Sequence, residues 1–75
     1  MQCVSQSQLG ILSRNIRRLR EQAGLTQEQL AEKADISPRS LQFIEAAQFG
    51  ASLAVLIRLR RALHCQWDTL LADIE

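Results

Sequence analysis

Arg39, Gln42 and Phe43 recur at helical spacing between Pro38 and Ala46, and their side chains are of the types that read base-pair edges. A guanidinium forks onto guanine, a primary amide pairs with adenine, and an apolar group meets the thymine methyl. To act together they must project from one face of a rigid element. The flanking residues provide it: Ser37 is a good N-cap, and Pro38 suits the first helical position, where its missing N–H costs nothing. Leu41 and Ile44 mark the buried side of a helix over 38–46, so Pro38, Arg39, Gln42, Phe43 and Ala46 face outward.

A second short helix precedes this one. Thr26 and Gln29 have the spacing of a capping box, and Leu30, Ala31 and Ala34 form an apolar side. Two short helices separated by only a few residues suggest a helix-turn-helix. At this point the chain resembles the phage-repressor and Cro-like helix-turn-helix family. The resemblance rests on Leu25-Thr26-Gln27, Leu30-Ala31, Ser37, Ser40-Leu41 and Ile44-Glu45. It extends from about Ile16 to Leu71, because Ser52-Leu53, Leu56, Leu59, Ala62-Leu63, Asp68 and Leu70-Leu71 fall where that family's fourth and fifth helices place them.

The resemblance implies an all-α, compact five-helix fold and a transcriptional regulator that binds double-stranded DNA as a homodimer on a palindromic operator. Helix 38–46 would enter the major groove, with half-sites about 34–36 Å apart. Ser37, Pro38, Arg39, Gln42 and Phe43 would form the DNA-facing surface, and Gln27 and the N-terminus of its helix would hold a phosphate. Arg20, beside the apolar row of the first helix, would pair with Glu45 as a structural ion pair. The chain departs from the family at Ala47, where Gly is usual, and residues 46–51 carry no cation. Backbone N–H groups and Gln48 are then the expected phosphate contacts in that loop, with less counterion release.

A chain of 75 residues suits one small domain without a separate ligand-sensing domain. Hydrophobic content of 47% against 23% charged residues is globular rather than disordered. The net charge of +1 gives no argument for nucleic acid by itself. Its distribution is more informative, with Arg14, Arg17, Arg18 and Arg20 early, Arg58, Arg60 and Arg61 late, and Asp68, Asp73 and Glu75 at the C-terminus. Cys3 and Cys65 have no metal or disulfide-framework spacing, and the apolar stretch 51–57 is too short to span a bilayer. A cytoplasmic protein with reduced thiols, no cofactor, no metal, no membrane and no small-molecule ligand is expected.

Residues 1–8 are polar and aperiodic and are expected to form a flexible leader, with Ser5 or Ser7 capping a helix that carries Leu9, Leu12, Ile16 and Leu19 and stops at Gly24. The helix-turn-helix domain then spans 9–75. Gly50 permits a turn before Ser52 caps a core helix, on which Leu53, Ile57, Arg60 and His64 form a second line open to a partner subunit. Arg60 is expected to pack its stem and send its head to solvent or a carboxylate. Trp67, Leu70, Leu71 and Ile74 place an apolar stripe on a last helix over 66–73, available to the core or to a dimer contact.

One His, two separated Cys and no paired carboxylates leave no nucleophile, base and orienting partner, so an enzyme is not expected. The alternative is a protein-interaction module on the same fold, suggested by the near-neutral charge, the uncharged loop and Phe43 and Phe49 as exposed rings. In that case Phe43 packs into a protein interface, and Arg39 pairs with Glu32, Glu45 or a phosphate.

Overall fold

Side-chain hydroxyl caps set the starts of three helices. In the computed structural model, which describes residues 6–48 and 51–74, five helices follow one another: α1 (Gln6–Gln22), α2 (Gln27–Ala34), α3 (Pro38–Glu45), α4 (Leu53–Leu63) and α5 (Trp67–Leu70). The hydroxyls of Thr26, Ser37 and Ser52 accept from the backbone N–H groups of Gln29, Ser40 and Val55 at the starts of α2, α3 and α4. Gln29 returns the bond to the Thr26 N–H, completing the capping box. Gly24, at φ 73°, ends α1 where a left-handed residue is needed.

α1 begins at Gln6, not Leu9, so Gln6, Ser7 and Gln8 belong to the helix and Ser7 is not its cap. The Gln6 amide reaches across to the Ala47 carbonyl at 3.4 Å, a contact that the polar character of this stretch does not disclose. The rest of the expected leader, with Ser5 and Cys3, lies outside the described residues, as do Phe49, Gly50 and Glu75.

The core joins Leu12 and Ile16 of α1, Leu30, Ala31 and Ala34 of α2, Leu41 and Ile44 of α3, Leu59 of α4 and Leu70 of α5. α4 contributes Leu59 fully and Val55, Leu56, Ala62 and Leu63 in part, while Leu53 remains 68% exposed. Among the described residues Arg60 meets no carboxylate. Its guanidinium carbon lies 5.2 Å from the Trp67 ring centroid and its Nη1 donates to the Cys65 carbonyl, so the head is held over the ring inside the fold.

α5 is shorter than the expected 66–73. Asn15, buried on α1, donates through Nδ2 to the carbonyls of Leu70 and Ala72 at 3.0 and 2.9 Å. Those carbonyls point toward α1, and the Ile74 N–H turns to Leu71 instead of continuing the helix. Trp67 and Ile74 still pack against the core, whereas Leu71 is exposed.

One polar cluster locks α3 to the first two helices. Arg20 Nε donates to Glu45 Oε2 at 2.9 Å and Arg20 Nη2 to Oε1 at 3.2 Å, a two-pronged pair. Arg20 Nη1 also donates to the Leu25 carbonyl, and Gln27 Nε2 donates to Glu45 Oε1 at 3.0 Å. The Glu45 side chain is only 2% exposed, so removing one partner strands a charge. Arg20→Met, which strands Glu45, is expected to destabilise the fold by about 3 kcal/mol, and Arg20→Met with Glu45→Leu by clearly less, both read from denaturant midpoints. Equal losses would show that the pair itself, not the stranded partner, sets the cost.

Ala47 sits at φ 59°, where a Cβ is strained. Ala47→Gly should raise stability by about 0.5–1 kcal/mol, the relieved strain less the added freedom of the unfolded chain. Thermal unfolding at matched concentration checks it.

Candidate nucleic-acid interface

α3 divides cleanly into two sides. Leu41, Ile44 and Glu45 are buried, while Pro38, Arg39, Gln42 and Ala46 are exposed and Phe43 is half-buried. Ser37 accepts from the Ser40 N–H at 3.0 Å and its hydroxyl meets the Ser40 hydroxyl at 2.8 Å, so the start of the helix is fixed by short polar contacts. Pro38 occupies the first turn, where no N–H is lost to the helix. The exposed side is therefore a firm surface of one ring, one guanidinium, one amide and small apolar groups.

Arg39 is not ion-paired with Glu32 or Glu45. Glu45 is taken by Arg20, and the Arg39 guanidinium carbon instead lies 5.6 Å from the centroid of the Phe43 ring one turn on. The i, i+4 spacing of the two residues contains the signal for this contact. Their cation–π geometry adds an interaction of about 0.5–1 kcal/mol at an exposed site.

Gln27 opens α2 and is half-buried. Its bond to Glu45 uses one amide N–H, and the other N–H and the carbonyl oxygen make no bond to the described residues. The Gln27 and Glu28 backbone N–H groups belong to the first turn and have no partner within the helix. Gln48 is exposed just beyond α3, after Ala47, whose carbonyl accepts from Gln6. The fold thus gathers Ser37, Pro38, Arg39, Gln42 and Phe43 on one helix, joins Gln27 to the far end of that helix through Glu45, and leaves Gln48 at its exit.

Arg14, Arg17 and Arg18 are exposed on α1 and, with Glu21, line a shallow depression of about 280 Å³. Arg58 donates to the Asp35 carbonyl at the end of α2 and serves the fold. Burial pushes the Cys65 thiol up, against an opposing pull from Arg60, which leaves it a poor nucleophile. Among the described residues no group of His, Cys, Asp and Glu could hold a metal ion, and no helix is long and apolar enough to cross a membrane.

Solved structures of other proteins share this fold. The restriction-modification controller protein C.AhdI from Aeromonas hydrophila is similar with a TM-score of 0.82 and 28% identity, over 85% of this chain and 97% of that one. The hypothetical transcription factor NHTF from Neisseria is similar in fold, with a TM-score of 0.81 at 21% identity over 95% and 83% of the two chains. No curated protein gives a significant match. A helix-turn-helix family model matches residues 16–70, a span that runs from within α1 to the end of α5 and includes Gln27, the whole of α3 and Gln48. With those residues, well over half of the chain, matched, the chain belongs to the helix-turn-helix family.

Proposed function

We propose that this protein is a sequence-specific DNA-binding transcriptional regulator that acts as a homodimer on a palindromic operator. The observation that carries this reading is the two-sided α3. Its buried side and capped start hold it rigidly, and its outer side offers Arg39, Gln42 and Phe43 to base edges. Arg39 reads guanine, Gln42 reads adenine, and Pro38 and Ser37 shape the approach. Gln27 and the first turn of α2 hold a phosphate, and Gln48 holds another on the far side. The likeness to a controller protein of a restriction-modification system supports a regulatory role.

The dimer is supported by apolar surface that the single chain leaves open. Leu53 and Leu71 are exposed, at 68% and 36%, on α4 and just after α5. Covering them with a second copy places two α3 helices on one molecule, as a two-fold operator requires. The net charge of +1 favours a second reading, a protein-interaction module on the same fold, because it limits the counterion release available on DNA.

Selection from a random duplex pool, then titration of the enriched sequence at several salt concentrations, separates the two. The regulator reading expects a palindromic consensus with half-sites about 34–36 Å apart and affinity that falls with salt. Arg39→Ala should cost about 1–3 kcal/mol and relax specificity at one position of each half-site. Gln27→Ala should weaken all sequences alike. No enrichment at low salt would hand the surface to a protein partner. For the dimer, sedimentation of Leu53→Glu and Leu71→Glu should show a weakened self-association, and a wild type that stays monomeric at high concentration would overturn it.

A further inference from the structure

Arg39 and Phe43 stand one helix turn apart on the outer side of α3, with 5.6 Å between guanidinium carbon and ring centroid. That is inside the range of about 6 Å over which a cation is drawn to a ring face. Arg39 is exposed and lacks a carboxylate partner among the described residues, so without the ring its long side chain would sample many rotamers. Phe43 is half-buried, so its ring is held on the protein side and moves less than the arginine above it. The cation–π contact is a local device that restrains the guanidinium before any ligand arrives.

We propose that Arg39 and Phe43 form a single reading unit: the ring holds the guanidinium on a guanine and touches the methyl group of a thymine on the adjacent base pair. This rests on the reading of α3 as the groove-facing helix. A guanidinium that bonds guanine bidentately lies in the plane of that base. A ring packed on its face is then displaced along the duplex axis, where the neighbouring pair lies about 3.4 Å away. At that level the major-groove edge of thymine carries its C5 methyl, an apolar group matched to the ring. Arginine alone selects guanine whatever its neighbour. The paired unit selects a two-base step, and Phe43 is a positioning residue for Arg39 as well as a contact in its own right.

The test uses the duplex selected by the full chain, in which Arg39→Ala marks the guanine by relaxing preference there. The neighbouring thymine is replaced by uracil, which removes the methyl and nothing else. Phe43→Leu keeps apolar bulk on the helix without a ring, Phe43→Tyr keeps the ring, and circular dichroism shows that each is folded. The expected result is that wild type and Phe43→Tyr lose about two- to fivefold in affinity with uracil. Phe43→Leu should lower the preference for guanine over the other bases by about two- to fivefold, and should have no such effect when Arg39 is already Ala. Guanine preference unchanged in Phe43→Leu, a loss that persists without Arg39, or thymine and uracil bound alike would overturn the unit while leaving α3 as the reader. Failure of the wild-type chain to enrich any duplex would instead overturn the groove-facing reading beneath it, a result recognisable before any variant is made.

Discussion

A carboxylate that is almost wholly removed from water dictates how the first three helices meet. Glu45 ends α3, and its side chain is 2% exposed, so it must be neutralised by a partner of fixed geometry. Arg20 supplies both prongs of its guanidinium from α1, and a third nitrogen of the same group binds the Leu25 carbonyl just before α2. Gln27 adds an amide from the first turn of α2. Apolar contacts between Leu30, Leu41, Ile44 and Ile16 give most of the favourable free energy, but they are non-directional. The polar cluster supplies direction. It fixes the end of α3 against the start of α2, which is the relation that any two-point contact with a duplex depends on.

The short helices need this help. α2 and α3 each have eight residues, well below the length at which a helix holds its shape alone in water. Hydroxyl caps at Thr26 and Ser37 satisfy one end of each, and Pro38 sets the backbone of the second. The other ends are handled less favourably. Asp35, Ala47 and His64 all take positive φ where glycine would be unstrained. Asp35 and His64 still close α2 and α4 through their backbone N–H groups, so the turns form despite the strain.

Elements whose signals are local were legible in the sequence. Thr26 with Gln29, Ser37 with Pro38, and Ser52 are read from neighbours within four residues, and the structure starts α2, α3 and α4 after each of them. The α3 sidedness followed from its 3.6-residue rhythm in the same way, except that Phe43, expected as an exposed ring, is half-buried. What was not legible depends on partners far along the chain. Asn15 looks like an ordinary polar residue in α1, yet its two bonds to carbonyls 55 and 57 residues away cut α5 short. Gln6 gains its helical place beside Ala47, 41 residues on. Gln27 was placed by resemblance to meet a phosphate, and only the fold reveals that Glu45 already holds one of its N–H bonds. Arg60 was expected at a carboxylate or in solvent because periodicity carries no information about the Trp67 ring that covers it.

The charge of the chain bears on what kind of DNA reader this surface would make. Binding driven by phosphates grows with the number of cations at the backbone, and each adds to affinity for every sequence alike. Here the 46–51 loop has none, Arg20 is neutralised by Glu45, and the chain's net charge is only +1. A single copy would therefore hold random DNA weakly. That is a handicap for affinity but an advantage for discrimination, because the useful quantity is the ratio of specific to non-specific binding across many competing sites. Affinity must then come from base contacts and from joining two copies, since a second α3 tethered to the first binds as if at high local concentration. On this reading the exposed leucines of α4 and the segment after α5 and the ordered arginine of α3 serve one end: the first doubles a modest contact, and the second makes each contact selective.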